Sequence, residues 1–341
     1  MTGKHAVTAI TRPESTNKLP DGVKVARVNY ASEAASDIAA LVNALRGQQV
    51  LLVTMSVGAL GTIKNLVHAA AQADVPYILP NWLGHDPNNK QLLEDSLMTG
   101  LYDNVKEIER LGVSSYILLA CNFWYEFSLG GGPHRYGFDF NKRSFITYDG
   151  GNVAINTSTW PQCGRAIAKL LSLKELPDNE EDQATTLAQF RNGCVYVSSF
   201  RLSQRDMFDS VKRVTGTTDA DWTITDENTE QRYREGLEDA KKGHGEGWMK
   251  MGYSRMFFAT ATGTTRRVVA CITRYSGYRL RTLTSLRLLV FAWVRMAKSG
   301  RDTLRRAIAC ASVVECGWEA RRISTMSLMH LRRCASTAWN P

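Results

Sequence analysis

The chain has 341 residues, 44% of them hydrophobic and 22% charged, which fits a globular protein of one large α/β domain or one and a half ordinary ones. No run of about 18 apolar residues occurs, so a spanning helix is not expected, and the first residues lack the charged start and apolar run of a signal peptide. The net charge of +9 invites a nucleic-acid reading, but the charge is unevenly placed. Residues 258–341 hold 15 Lys and Arg against 3 Asp and Glu, leaving 27 basic and 30 acidic residues in the rest. The body is therefore slightly acidic, and nucleic acid is not expected as its partner. Cysteines are scattered, with no CxxC pair and no Cys/His spacing for zinc, so no metal is expected and a reducing, cytoplasmic setting is.

Through residue 120 the segments alternate strand-like and helix-like. Strands are expected at His5–Thr11 and Val23–Val28, then a helix at Ala34–Leu45 closed by Gly47. Gln49–Met55 is a near-continuous apolar run, the pattern of a strand buried on both faces. A helix at Gly61–Ala73, a strand at Val75–Leu79, a long helix at Leu92–Leu111 and a strand at Ser115–Ala120 follow. This β-α-β-α-β rhythm predicts an α/β protein with a doubly wound parallel sheet. After Asn122 the pattern loosens, with strands expected at Gly151–Thr157 and Cys194–Ser198 and helices at Cys163–Leu173, up to Val214 and over Thr229–Lys242. The division expected is 1–122 for a nucleotide-binding part, 123–257 for a smaller α+β substrate region interleaved with it, and 258–341 for an atypical, poorly packed Arg-rich tail. That tail carries 14 Arg, one Lys and four Cys, the composition of a gene read out of frame; a basic arm for nucleic acid is the competing reading.

Six stretches in order resemble the fungal branch of the NmrA-like, isoflavone-reductase-like proteins, which are atypical short-chain dehydrogenases. They are HAVTAITR (5–12), LLVTMSV (51–57), PYILPNWLG (76–84), ERLGVSSYILLACNFWYEF (109–127), INTSTWPQCGRAIAKLLSL (155–173) and VYVSSFRLSQRDMFDSVKRVTG (195–216). The resemblance implies a Rossmann-like fold, an NADP (NADPH) cofactor and a small-molecule substrate. Ligands of such sheets sit beyond the carboxyl ends of the strands. Arg12 ends the first strand, where a basic residue of the family grips the 2′-phosphate, with Lys18 as a second contact. Thr54, Met55 and Ser56 fall on the adenosine side, and Pro80 and Asn81 near the nicotinamide ribose. Asn122, Phe123 and Trp124, with Trp160 and Gln162, face the expected substrate pocket; an aromatic core is the plainer reading of that cluster. His85 and His134 are candidate acids or bases, against an ordinary role as loop polar residues.

The chain departs from the family in three places. The glycine-rich turn of the pyrophosphate site is not found, and the chain begins at what looks like the end of the helix after it, so an N-terminally truncated sheet is expected. The catalytic lysine of the plant reductases falls, counting back from Gly112, on Leu101, so Tyr102, Tyr125 or water is left as proton donor. The tail does not resemble the family. Three functions follow: an NAD(P)H-dependent reductase of a small aromatic or secondary-metabolite substrate, a non-catalytic NADP sensor that binds a transcription factor, or a defective gene product.

Overall fold

The computed structural model describes residues 5–97 and 99–259, and readings that fall on residues 260–341, the bulk of the Arg-rich tail, lie outside them. In chain order the first half comprises β1 (Thr8–Thr11), β2 (Lys24–Arg27), α1 (Ala35–Leu45), β3 (Val50–Val53), α2 (Ile63–Gln72), β4 (Tyr77–Pro80), β5 (Leu83–Gly84), α3 (Lys90–Asp95), α4 (Asp103–Leu111) and β6 (Ser115–Ala120). The second half comprises β7 (Phe123–Trp124), α5 (Tyr125–Leu129), β8 (Phe138–Asp139), β9 (Ser144–Tyr148), β10 (Ile155–Ser158), α6 (Trp160–Leu170), β11 (Gly193–Tyr196), β12 (Phe200–Leu202), α7 (Gln204–Thr215), β13 (Thr223–Glu227), α8 (Thr229–Lys241) and α9 (Gly245–Met256).

Strands β11, β6, β4 and β3 lie side by side in that order, every pair parallel, and β5 extends the ladder onto β6. Successive side chains of a strand point to opposite faces. Along β6, Tyr116 and Leu118 enter one core with residues of α1, α2 and α4, while Ile117 and Leu119 enter a second core with residues of α6. Both faces of the sheet are thus covered by helices, which is why β4 and β6 read as continuous apolar runs rather than alternating ones. The molecule is an α/β protein with a Rossmann-like, doubly wound parallel sheet.

β1 and β2 form a separate parallel pair, held to the first core through Ile10, Ala26 and Val28. Among the described residues β1 pairs with β2 alone, and β3 pairs with β4 alone. Two small sheets, β12–β10–β7 and β13–β9–β8, surround a third core built from rings: Tyr125, Tyr136, Phe138, Phe145, Tyr148, Phe208 and Phe257 are each at most 1% exposed. Residues 160–197 return to the main sheet as α6 and β11.

The helix expected over Leu92–Leu111 is three pieces: α3, a short 3₁₀ turn at Thr99–Tyr102 and α4. The break has a local cause. The Ser96 hydroxyl donates back to the Leu92 carbonyl, 2.6 Å away, and Leu97 turns left-handed at φ 53°. Gly47 does not cap α1, where Arg46 takes that place, but it does carry a left-handed φ of 74° that turns the chain into β3.

Candidate functional site

In a parallel sheet all carboxyl ends lie on one side, so the residues after β3, β4 and β6 gather along one rim. After β3, Thr54 and Ser56 are exposed and Met55 is half-buried. Asn81, after β4, is left-handed at φ 61° and clamps the neighbouring strand end. The Met55 N–H donates to Asn81 Oδ1 at 2.9 Å, and Asn81 Nδ2 donates to the Met55 carbonyl at 3.2 Å. The amide extends the ladder past its last strand residue, so its side chain is already engaged at this rim. Pro80, the last residue of β4, is buried beside it.

The next turn, 82–89, is held on two sides. Gly84 O accepts from the backbone N–H of Cys121 (3.0 Å) and Asn122 (2.8 Å), and the His85 carbonyl accepts from Trp82 Nε1 at 2.9 Å. On the other side Asp86 Oδ1 accepts from the Tyr196 hydroxyl at 2.7 Å and from the Asn88 N–H at 3.0 Å. Between these ties lies His85, 5% exposed, with no hydrogen-bond partner for Nδ1. Burial alone pushes its pKa down to about 4, so at neutral pH the ring is uncharged.

His85 and Phe123 stand perpendicular with ring centroids 5.0 Å apart, and Phe123 stacks on Tyr253 of α9 at 3.8 Å. Ser128 Oγ lies 2.7 Å from the Tyr253 hydroxyl and itself donates to the Trp124 carbonyl. Burial raises the Tyr253 pKa to about 12. Asn122, left-handed at φ 55°, joins this wall to β6. The wall therefore brings together His85, Asn122 and Phe123, all named from the sequence, with Tyr253, Tyr136 and Ser128, which were not. Tyr253 lies over 100 residues away in a Gly-rich segment without helical patterning, so only the tertiary packing reveals it.

Other expected site residues lie elsewhere. Trp124 meets Trp160 edge-on at 6.3 Å, and Trp160 opens α6, whose cap is Thr159. Gln162 spends its side-chain oxygen on Arg165. Tyr125 is 1% exposed and its hydroxyl has no partner, so it is part of the ring core. Tyr102 packs edge-on against Trp82 at 5.9 Å. His134 pairs with Glu246 at 3.2 Å, on the loop beside α9.

At the end of β1, Arg12 is largely exposed and touches Glu14 only at 3.4 Å. Arg27 holds the loop that carries it by donating to the carbonyls of Pro13 (3.1 Å) and Ser15 (2.8 Å). Beneath that loop is a cavity of about 290 Å³ lined by Thr11, Asn17, Asp21, Val25 and Arg27, and Thr11 Oγ1 is buried without a partner. The guanidinium lining this cavity is that of Arg27, while Arg12, which follows Thr11 at the end of the strand, does not line it. Lys18 is exposed on the same loop. No His, Cys, Asp and Glu cluster able to hold a metal occurs among the described residues. No helix among them is long and apolar enough to cross a membrane.

The fold is that of a Rossmann-like α/β protein, and the residues expected at its site from the sequence lie in part along the carboxyl ends of its sheet. No family model matches the chain. It is 24% identical over 249 residues to oxidoreductase aprR of Aspergillus flavus, covering 70% of this chain and 74% of that one. Among solved structures it is similar to AtPrR2 with NADP+ and (+)pinoresinol, at a TM-score of 0.59 and 16% identity, over 84% of this chain and 91% of the other. An isoflavone reductase superposes at a TM-score of 0.57 and 15% identity, over 82% and 89%. The chain has the fold of the isoflavone-reductase-like proteins, and its resemblance to the NmrA-like, isoflavone-reductase-like group stands.

Proposed function

We propose that this protein is an NADP(H)-dependent oxidoreductase that reduces a small, flat, aromatic or secondary-metabolite-like carbonyl or enone. The observation that carries the reading is the pairing of His85, buried, neutral and unpartnered at Nδ1, with the Phe123–Tyr253 ring wall beyond the ends of β4 and β6. It is supported by the similarity to a fungal oxidoreductase and by the NADP+ that AtPrR2, a protein of the same fold, holds in its solved structure.

NADPH, when bound, supplies the hydride. Arg12 and Lys18 would hold its 2′-phosphate end, and the exposed hydroxyls of Thr54 and Ser56 its adenosine side. Phe123 orients a planar substrate, and the low dielectric of the wall strengthens any hydrogen bond made there. His85 acts as a neutral hydrogen-bond donor to the substrate oxygen as negative charge grows on it. It does not give up a full proton as an acid, because a ring that titrates near 4 is not protonated at neutral pH.

The test is NADPH oxidation across a panel of aromatic carbonyl and enone compounds. Turnover with at least one of them, lost by about 10²-fold or more in His85→Ala with NADPH affinity unchanged, is the expected result. NADPH binding with no turnover on any compound would overturn the enzyme reading and favour a nucleotide sensor.

A further inference from the structure

Two ties hold the 84–89 turn, and they differ in kind. The inner one is backbone to backbone, from Cys121 and Asn122 to Gly84, and any sequence could make it. The outer one depends on three side chains. Tyr196, the last residue of β11, donates to Asp86 Oδ1 at 2.7 Å and accepts from Asn88 Nδ2 at 2.6 Å. Asn89 then caps α3 by accepting from the Leu92 N–H at 3.0 Å, so the outer tie also sets where α3 starts. Without it, the residues between Gly84 and the buried Leu92 of α3, His85 among them, lose the side-chain tie that holds them to β11.

We propose that Tyr196 is a positioning residue: through Asp86 and Asn88 its hydroxyl holds the 84–89 turn shut and keeps the His85 imidazole packed against Phe123. This rests on the reading of His85 as the group facing the substrate. The geometry is economical, because the three side chains reach from the outermost strand of the main sheet, across the end of β6, to the turn after β5. A charge-assisted bond from a phenol to a carboxylate is among the stronger ones available at a half-exposed site. The titratable groups around the imidazole are Asp86 and Tyr196 on the outer side, Cys121 at the end of β6, Cys194 on β11 and Tyr253 behind Phe123. None of them contributes to the downward shift of His85, which comes from burial alone. That shift therefore reports whether the turn is closed.

The experiment follows the ring of His85 by nitrogen NMR in the full chain, assigned with His85→Gln, in the wild type and in Tyr196→Phe. In the wild type the ring is expected to stay neutral down to a midpoint of about 4. In Tyr196→Phe, which keeps the aromatic ring and loses only the hydroxyl, the midpoint rises toward the ordinary value of 6.5. Asn88→Ala moves it in the same direction by less. Tyr233→Phe, which cuts a tie between α8 and the Asp95 carbonyl at the far end of α3, leaves it in place. An unchanged His85 midpoint in Tyr196→Phe overturns the proposal. So does an equal rise in Tyr233→Phe, since that would be general loosening. If Tyr196→Phe does not fold, Asn88→Ala gives the same reading. The NMR result stands whether or not the protein reduces any compound, so a failed activity screen and a failed latch are separate outcomes.

Discussion

His85 links the site to stability at the scale of a single residue. Its folded pKa, about 4, lies below the ordinary 6.5. Between those values the unfolded chain takes up a proton that the folded chain refuses, so stability falls as pH drops from about 6.5 and levels off below about 4. The cost reaches about 3 kcal/mol at most, from roughly 1.4 kcal/mol per pH unit. Urea unfolding from pH 7.5 to pH 4 is expected to show this loss in the wild type and less of it in His85→Gln; parallel curves would contradict the buried neutral ring. Tyr125 gives the opposite kind of prediction. Its hydroxyl is enclosed and unpartnered, so Tyr125→Phe is expected to leave turnover unchanged and to hold or raise the thermal midpoint. A large loss of turnover would show that the phenol reaches the substrate after all. His85 was visible in the sequence only as a loop histidine, because nothing in a one-dimensional pattern says that Gly84, Trp82 and Asp86 would fix the turn around it.

Among elements, the parallel strands and the α8 helix were legible and α9 was not. Ser115–Ala120 announced itself as an apolar run because both faces of β6 are covered, whereas Gln49–Met55 read the same way although Leu52 of β3 is exposed. The Leu92–Leu111 helix was read too long because the Ser96 back-bond and the left-handed Leu97 leave no trace in apolar spacing. Helix α9 was missed because Gly245, Gly247 and Gly252 give it poor helical propensity. Two glycines of the α8–α9 pair have a packing reason: a Cβ on Gly247 would sit 2.5 Å from the Ala240 nitrogen, and one on Gly236 2.5 Å from the Met251 nitrogen. Backbone that close cannot yield, so Gly236→Ala and Gly247→Ala are each expected to destabilise by about 1–3 kcal/mol. Because α9 carries Tyr253, either change should also loosen the Phe123 stack. Thermal unfolding checks the first point, and a midpoint equal to the wild type's would contradict the close helix contact.

Across the whole molecule, β1 and β3 are edge strands of parallel ladders, each with one neighbour among the described residues. β1 is paired by β2 and β3 by β4, and Leu52 of β3 is 39% exposed. Unpaired edge amides open readily, whereas those of β4 and β6 have ladders on both sides. Hydrogen exchange should therefore be far faster at alternate amides of Thr8–Thr11 and Val50–Val53 than in Tyr77–Pro80 and Ser115–Ala120. Equal protection would mean that both edges are covered. The doubly wound class and the strand-end rim were readable from the sequence, since they follow from apolar runs and from where those runs stop. The ring wall was not, since it joins α9 to β7 across the third core.

The reading as an NADP-dependent reductase depends most on the rim receiving that nucleotide. The direct test is titration of the full chain with NADPH and with NADH, followed by fluorescence, in the wild type and in Arg12→Ala. The account predicts that the wild type binds NADPH at least about tenfold more tightly than NADH, and that Arg12→Ala removes this preference, a difference of about 1.4 kcal/mol. Equal affinity for the two nucleotides, or a preference that survives in Arg12→Ala, would contradict it.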